Sequence, residues 1–349
     1  MGMIKVPKKS IDFFNSNLMD ILETGFLAEG SWNKKLSELI KNITGANNAT
    51  PTNSNGAGIV ALLTIYRHIF KRNKVLVQSN TMYGVKVMVP TAGCENAGYI
   101  NCQINTLMPS FDDVKQSLSG FSKEDKKKII IVLSHIGGII NPDIENISAF
   151  CFDNDVILIE DCAHSFGATL FNKHSGLFGN AGVYSFYATK AIPAGEGGIV
   201  VTNDDELGKI IEKYVIYDRF DQKLEVGNNV RISEMQALFT YSVAKEWKEI
   251  ILNKERIAKE FITVCIDRNI PYIDQTKNGQ NGNYYKFVIY HDKMPIREAY
   301  PYLNTLTSAV YDYCLCNYDH IISNHVCLPI WYGQEIKITN KVVSELLRS

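Results

Sequence analysis

The sequence predicts an α/β protein in which a large, mostly parallel sheet is flanked by helices and a smaller α+β domain follows. Strand-like apolar runs alternate with helical segments in the N-terminal half of the chain, as a parallel sheet requires. The length of 349 residues accommodates a large domain and a smaller one. We predict a large domain with an N-terminal arm over residues 1–235, and a bridging helix with a small domain over residues 236–349.

The N-terminal region is predicted to contain three helices. Residues 12–23 and 32–43 have helical apolar spacing, and Gly25 and Gly45 behind them are typical helix-ending residues. Residues 52–70 begin with small polar residues and two glycines before an apolar helical pattern. The bare N–H groups of such a helix N-terminus can bind an anion, although an ordinary Asn or Ser cap explains the same residues.

The predicted sheet is built from five strand-like runs, which are residues 74–78, 85–89, 98–103, 128–133 and 156–159. Helical or mixed segments separate most of them, including residues 110–118. Ligands of parallel sheets bind at the carboxyl ends of the strands. Asp161 and residues 79–83 fall at two of those ends, so we expect a binding site there.

The C-terminal region is predicted to be more mixed. A helix over residues 204–217 and a polar loop over residues 218–229 lead into a long amphipathic pattern, residues 231–266, that bridges to the small domain. Beyond it the sequence predicts a strand, a short helix and a closing helix, at residues 284–290, 296–303 and from Thr339 onward.

Composition indicates an ordinary globular protein, with 46% apolar and 21% charged residues. The formal net charge of −1 gives no global field for nucleic acid or an anionic membrane. The N-terminal residues have no apolar signal segment, and no apolar run approaches bilayer length. The eight cysteines include no CxxC pair, which favours reduced thiols. We therefore expect a cytoplasmic protein without a metal centre, a nucleic-acid partner or a membrane association.

Residues 156–203 contain the clearest chemical signal. An apolar run ends in the carboxylate of Asp161, and the segment from Ser185 to Lys190 leads into a glycine-rich turn, residues 195–198. A pyridoxal-phosphate (PLP) site needs a lysine that holds the cofactor as a Schiff base and an acid that holds its pyridinium nitrogen. The alternatives are a solvated lysine at a strand end and a carboxylate that caps the next helix.

Three motifs in this order, EDCAH (160–164), YSFYATK (184–190) and GEGG (195–198), resemble the DegT/DnrJ/EryC1/StrS sugar aminotransferases, which are fold type I PLP enzymes. The resemblance implies PLP as cofactor and Lys190 as the catalytic lysine. It also implies contacts from Asp161 to the pyridine nitrogen, from His164 to the phenolic oxygen and from Ser185 to the phosphate. A structural histidine and a strand serine bonded to backbone are the alternatives for the last two.

Two further segments resemble the same family. Residues 52–58, TNSNGAG, are similar to its SNGT-x-AL segment and imply phosphate binding by the backbone of Gly56 and Ala57. Residues 227–237, GNNVRISEMQA, are similar to its Gly-x-Asn-x-Arg…Glu-x-Gln-Ala pattern. This match implies that Asn229 reaches the cofactor phosphate of a second subunit, in a homodimer with shared active sites. A loop asparagine beside a solvated arginine is the alternative.

The sequence departs from the family pattern at the position that stacks on the cofactor ring. Where the family often has Pro-x-x-Thr-Phe, residues 78–82 read QSNTM, so that Met82 would lie on the ring as a polarizable thioether. The family's His-Tyr-Pro substrate loop has no clear counterpart over residues 308–318. His135 matches a family histidine, but a packed core histidine is an equal alternative.

The resemblance implies a PLP-dependent aminotransferase that moves an amino group from L-glutamate or glutamine to a keto sugar, expected to be nucleotide-linked, in amino-sugar or polysaccharide biosynthesis. A cyclitol or other ketone stays open as acceptor. A PLP-dependent sugar dehydratase is the first alternative, but those relatives typically have histidine where this chain has Lys190. A non-catalytic ligand-binding regulator is the second, and the presence of both Lys190 and Asp161 disfavours it.

Overall fold

The computed structural model describes residues 4–217, 224–304, 307–315 and 319–348, so residues 218–223 of the predicted polar loop lie outside the described residues. The helices are α1 (Lys8–Thr24), α2 (Ser31–Thr44), α3 (Asn55–His68), α4 (Tyr83–Thr91), α5 (Phe111–Ser119), α6 (Lys123–Lys126), α7 (Ile144–Asp153), α8 (Asp205–Ile216), α9 (Glu234–Ala244), α10 (Trp247–Asp267), α11 (Ile296–Ala299), α12 (Asp319–Ser323) and α13 (Ile336–Arg348). The strands are β1 (Asn48–Thr52), β2 (Lys74–Gln78), β3 (Glu95–Ile100), β4 (Ile129–Ser134), β5 (Ile157–Cys162), β6 (Thr169–Leu170), β7 (Lys173–His174), β8 (Ala181–Ser185), β9 (Gly198–Thr202), β10 (Gln280–Asn281), β11 (Phe287–Tyr290) and β12 (His325–Leu328).

A seven-stranded sheet in the order β1-β9-β8-β5-β4-β2-β3 forms the centre of the molecule. Strands β3, β2, β4, β5 and β8 are parallel, and β9 pairs antiparallel with both β8 and β1. Successive side chains of a strand enter opposite cores: Val75 and Val77 pack with α3, α4 and α8, whereas Leu76 packs with α5 and α7. The predicted α/β fold with a large, mostly parallel sheet is confirmed.

Polar side chains and glycines define the helix ends. Ser54, Ser110 and Asp204 cap α3, α5 and α8 by accepting hydrogen bonds from first-turn N–H groups. Gly25 and Gly45 adopt the left-handed conformation that ends α1 and α2, as predicted. The predicted helix at residues 110–118 is confirmed as α5.

The predicted strand at residues 85–89 is wrong, because these residues lie in α4. Val85, Val87 and Val89 occupy every second position, which is the spacing of one strand face. In the helix, Val85 and Val89 are one turn apart and buried in the core, whereas Val87 is 49% exposed. The edge strand is β3, which begins three residues before the predicted run at residues 98–103.

The predicted bridging pattern at residues 231–266 folds as two helices. Helix α9 packs against α1 and α2, and its Ala237 and Leu238 lie in their core. Helix α10 extends from that core, which contains Ile250, to a second core around β11 and β12, which contains Phe261. The division into residues 1–235 and 236–349 stays a prediction.

The C-terminal sheet pairs β11 with β12 in antiparallel fashion, and α13 packs on α10 beside it. The strand and helix predicted at residues 284–290 and 296–303 occur in shorter form as β11 and α11. The closing helix begins at Ile336 rather than at Thr339. Within the described ranges, the helices are all too short or too polar to cross a membrane.

Candidate active site

Two adjacent carboxylates near the end of β5 point to opposite faces of the sheet. Glu160 is fully buried and accepts three backbone N–H groups and His135 Nε2, the last at 2.8 Å, so it stabilises the fold. Asp161 is 5% exposed and accepts from Asn55 Nδ2 at 3.1 Å, from Ser134 Oγ at 2.9 Å and from the backbone N–H two residues on at 3.1 Å. These donors let the second carboxylate be buried and fix its orientation.

The donors to Asp161 come from separate elements that meet at the carboxyl edge of the sheet. Ser134 ends β4 and is hydrogen-bonded to Thr81, which follows β2, at 2.7 Å. Asn55 begins α3 and also donates to the backbone carbonyl of Val183 in β8 at 2.8 Å. The ends of three parallel strands and one helix N-terminus therefore converge on one carboxylate. This is the edge of the sheet at which parallel sheets bind their ligands.

Lys190 lies in the loop that joins β8 to β9, and its side chain is partly exposed. Backbone hydrogen bonds close this loop, and Gly195 has φ +89°, a conformation that favours glycine. Gln236 Nε2 in α9 donates to the backbone carbonyls of Ala194 and Glu196, at 2.5 Å each. The side-chain amide of Gln236 thus fixes the glycine turn that follows Lys190.

An aromatic cluster lies between Lys190 and His164. The ring centroid of Tyr285 is 5.4 Å from Lys190 Nζ and 4.4 Å from the His164 ring centroid. The ring of Tyr311 stacks on His164 at 5.9 Å, with its hydroxyl 3.4 Å from His164 Nε2. Burial, and then the charge of Asp161, raises the pKa of Tyr311 well above its usual range. The structure therefore brings Asp161, His164 and Lys190 together around two tyrosines.

His164 has an unsatisfied ring nitrogen in this cluster. The residue is buried, and no atom of the described ranges forms a hydrogen bond with its Nδ1. Burial, followed by the charges of Lys190 and Lys286, lowers the pKa of the imidazole well below its usual range, so the ring is neutral at pH 7. Buried polar atoms in proteins are normally paired, so this nitrogen indicates a place for a polar ligand atom.

The N-terminus of α3 lies beside the end of β8. Ser54 bridges to Gly197, and Ser185 pairs with Gly198, so the segments that contain the two serines both contact the start of β9. A Cβ on Gly198 would lie 2.4 Å from the carbonyl carbon of Ser54. Only glycine permits this close approach of the strand to the helix N-terminus.

The predicted phosphate-binding groups differ in whether they are free to bind a ligand. The N–H of Ala57 donates to Ser54 Oγ at 3.1 Å, so it is already used as a cap contact. The N–H of Gly56 belongs to the first helical turn, whose N–H groups have no intrahelical acceptor. Ser185 is buried, and its Oγ accepts from the N–H of Tyr187 at 3.3 Å, which leaves the hydroxyl proton available to a ligand.

Asn229 is exposed at the surface near the same helix N-terminus. The next residue, Val230, accepts the backbone N–H of Asn53 at 2.7 Å. Arg231 is paired with Glu29 at 3.1 Å and belongs to the fold of its own chain. The role of Asn229 toward a second subunit stays a prediction.

Met82 lies at the start of α4 with 39% of its surface exposed. Its thioether folds over Gly84, where an added Cβ would be 2.8 Å from Met82 Cε. The neighbouring Tyr83 donates its backbone N–H to the hydroxyl of Tyr313, and the two rings meet edge to face. Contact between Met82 and a cofactor ring stays a prediction.

The structure adds residues that sequence reasoning did not identify. Asn55 and Ser134 could have been found, because Asn55 lies in the polar start of the predicted helical segment 52–70 and Ser134 directly follows a predicted strand. Tyr285 and Tyr311 lie in the C-terminal region, which has no matching motif and gave no signal.

Glu234 was also missed as a support of the site. Its buried carboxylate accepts the backbone N–H groups of Trp32 and Asn33, at 2.8 and 2.9 Å, and the amide of Asn33. It therefore caps α2 and ties that helix to α9, the helix that also holds the glycine turn.

His135 is a packed core histidine, which was one of its two interpretations. It lies with Glu160 and Cys162 in the single group of described residues close enough together to hold a metal ion. Its Nε2 donates to Glu160 and its Nδ1 accepts the N–H of Asn141 at 3.1 Å. Because both ring nitrogens are used, we assign this group to the fold.

Comparison with protein families gives a match over almost the whole chain. The model of the DegT/DnrJ/EryC1/StrS aminotransferase family matches residues 9–344. A crystal structure of a DegT DnrJ EryC1 StrS aminotransferase from Brucella abortus superposes with a TM-score of 0.83 at 16% identity, over 97% of this chain and 95% of that one. At this identity the likeness concerns the fold.

Curated relatives match over shorter segments. The UDP-4-amino-4,6-dideoxy-N-acetyl-beta-L-altrosamine transaminase of Helicobacter pylori is 24% identical over 271 residues, which is 73% of this chain and 67% of that protein. The GDP-4-keto-6-deoxy-D-mannose 3-dehydratase of Escherichia coli O55:H7 is 27% identical over 224 residues, 57% of this chain and 55% of that protein. The matches thus span between about half and two thirds of these relatives.

Proposed function

Because this chain belongs to the DegT/DnrJ/EryC1/StrS aminotransferase family, we propose that it is a PLP-dependent aminotransferase. It transfers an amino group from L-glutamate or glutamine to the ketone of a nucleotide-linked keto sugar. The observation that carries the proposal is the convergence of Lys190, the buried Asp161 and the unpaired nitrogen of His164 around Tyr285 and Tyr311. We call the space that these five residues surround the cleft. The H. pylori relative, named as a transaminase of a UDP-linked sugar, supports the acceptor class.

PLP fits the residues of this cleft. Lys190 would hold it covalently through Nζ, and Asp161 would accept the hydrogen bond of its pyridine nitrogen. Ser185 and the N–H of Gly56 would hold its phosphate at the α3 N-terminus, and His164 Nδ1 would meet a polar atom of the ring. When bound, PLP supplies an electron sink for the electrons released at the substrate carbon.

The protein's own groups perform the remaining tasks. The negative charge of Asp161 favours a protonated ring nitrogen. Lys190 would act as general base and then as general acid, because its free amine can take a proton from the substrate carbon and return it to the cofactor carbon. The neutral His164 and the rings of Tyr285 and Tyr311 wall the cleft with surfaces that limit the access of water.

An absorbance spectrum of the purified protein with PLP, before and after L-glutamate, tests the proposal. We expect a visible band of lysine-bound PLP, which gives way to the near-ultraviolet band of the amine form of the cofactor. Lys190→Ala should abolish the visible band, whereas Lys209→Ala on the exposed face of α8 should preserve both bands. A wild-type protein without the visible band would refute the assignment of Lys190.

A sugar dehydratase is the second candidate, because the E. coli O55:H7 relative is named as a 3-dehydratase. Lys190 disfavours it, since the dehydratases typically have histidine at the matching position. Product analysis with a nucleotide-linked 4-keto-6-deoxy sugar and L-glutamate separates the two. An amino sugar and 2-oxoglutarate in equal amounts support the transaminase, whereas a deoxygenated sugar supports the dehydratase.

We further propose a cytoplasmic homodimer with shared active sites. Exposed apolar side chains of the N-terminal arm support a subunit contact there; they are Met19, Leu22, Phe26 and Leu27. Mixing Lys190→Ala with Asn229→Ala tests the sharing. If Asn229 serves the partner's site, mixed dimers regain one intact site, about a quarter of all sites by random pairing. Mixtures no more active than the single variants would contradict it.

A further inference from the structure

A lysine lies on the buried face of α10, between the two cores that this helix joins. Ile250, Lys254 and Ala258 are spaced one turn apart and therefore share one helix face. Ile250 belongs to the core that contains α9, and Ala258 belongs to the core around β11 and β12. Lys254 between them is 3% exposed. Its amine thus lies where the two parts of the protein meet, and clefts between such parts commonly bind substrates.

Lys254 lines a small cavity together with the catalytic loop. The cavity has a volume of about 40 Å³, and its walls include Lys190, Pro193, Tyr285 and Trp331. In the part of the chain that the structure describes, Lys254 Nζ has no hydrogen-bond or ion-pair partner. Burial alone lowers the pKa of this amine to about 7. A buried lysine without a partner is costly and is normally avoided in proteins.

We propose that Lys254 binds a carboxylate of the acidic amino donor in this cavity, an inference that rests on the proposed aminotransferase function. A carboxylate supplies the counter-ion that the Lys254 amine lacks, and an ion pair in a partly enclosed, mostly apolar cavity is stronger than the same pair in water. Because Lys190 lines the same cavity, a donor held by its carboxylate at Lys254 would have its amino group close to the catalytic lysine.

The size of the cavity favours a carboxylate over the sugar substrate. About 10–15 Å³ of such volume holds one water, so about 40 Å³ admits a carboxylate group. Pockets that enclose larger ligands measure roughly 300–1,000 Å³. A nucleotide-linked sugar must therefore bind elsewhere in the cleft.

Binding of glutarate to the PLP-loaded protein tests the inference without turnover, because glutarate has both carboxylates but no amine. Calorimetric titration should show that Lys254→Met weakens glutarate binding about tenfold or more. The matched control is Lys259→Met, which removes an exposed lysine of the same helix and should leave the affinity within about threefold. In steady-state assays, Lys254→Met should raise the KM for L-glutamate while kcat changes by less than about threefold.

Equal glutarate affinities of wild type and Lys254→Met would overturn the inference, and so would a wild-type protein that does not bind glutarate. The proposed aminotransferase function would survive either result if L-glutamate still converts bound PLP to its amine form. Conversely, glutarate binding that depends on Lys254, in a protein whose bound PLP L-glutamate does not convert, would support a carboxylate site at Lys254 and refute glutamate as donor. The absorbance of bound PLP checks that the variant is folded.

Discussion

Replacement of Lys254 by methionine is expected to stabilise the ligand-free protein. The side chain is 3% exposed, and burial lowers the pKa of its amine from 10.5 to about 7. At pH 7 the Lys254 amine is fully protonated in the unfolded chain, whereas in the folded protein it is protonated in only about half of the molecules. At about 1.36 kcal/mol per pH unit, this difference costs the wild type about 4 kcal/mol at pH 7. Methionine fills a similar volume and has no charge to desolvate.

The pH dependence of this gain has a definite sign. Because the pKa is lower in the folded state, wild-type stability falls as pH decreases from about 10.5 to about 7 and then levels off. The advantage of Lys254→Met is therefore about 4 kcal/mol at pH 7 and about 2 kcal/mol at pH 9. Other titratable groups at the cavity are Lys5, Lys190, Tyr285 and Tyr332, and Glu249 bonds to the last of these. Burial, followed by the hydrogen bond to Glu249, raises the pKa of Tyr332 to about 12, above this window.

Urea denaturation at pH 7 and pH 9, without PLP and at one protein concentration, measures both quantities. The control Lys259→Met removes an exposed amine of the same helix and should change the free energy of unfolding by less than about 0.5 kcal/mol at either pH. The reasoning is refuted if Lys254→Met is no more stable than wild type at pH 7. It is refuted equally if the advantage grows towards pH 9.

Three further predictions concern the residues around the cleft. Asp161→Ala should lower the affinity for PLP about tenfold or more, measured by fluorescence titration, because the pyridine nitrogen loses its acceptor; unchanged affinity would contradict its placement. Glu234→Ala should destabilise the protein by about 1–3 kcal/mol in urea denaturation, since Trp32 and Asn33 lose a buried acceptor, without moving the absorption maximum of bound PLP. Gly198→Ala should weaken binding of PLP more than binding of pyridoxal, which lacks the phosphate, because the added Cβ displaces the α3 N-terminus; Gly120→Ala, with open space around it, is the control.

The sheet and the position of Asp161 were predictable because one physical rule covers both. The runs that became β4 and β5 are apolar and almost entirely buried, and a parallel sheet covered on both faces requires such runs. A carboxylate directly behind a buried run must then lie at the carboxyl edge of the sheet. Local sequence is sufficient for this inference.

The interior of the cleft was less predictable because its residues come from distant parts of the chain. Tyr285 and Tyr311 reach His164 only through the packing of the C-terminal region on the large sheet, which no local pattern shows. Val85 and Val89 illustrate a different difficulty. Their spacing fits one face of a strand as well as one turn of a helix, and only burial in the folded core decides between the two.

Lys254 shows how a conflict within the sequence can indicate a functional site. The apolar spacing of α10 assigns position 254 to the same buried face as Ile250 and Ala258, yet the residue there is a lysine. Natural sequences break such a local rule chiefly where function compensates the loss of stability. If methionine at this position both stabilises the free protein and weakens glutarate binding, the same desolvated amine explains both effects. A gain in stability with unchanged binding would leave the buried charge without a function in the amino-donor site.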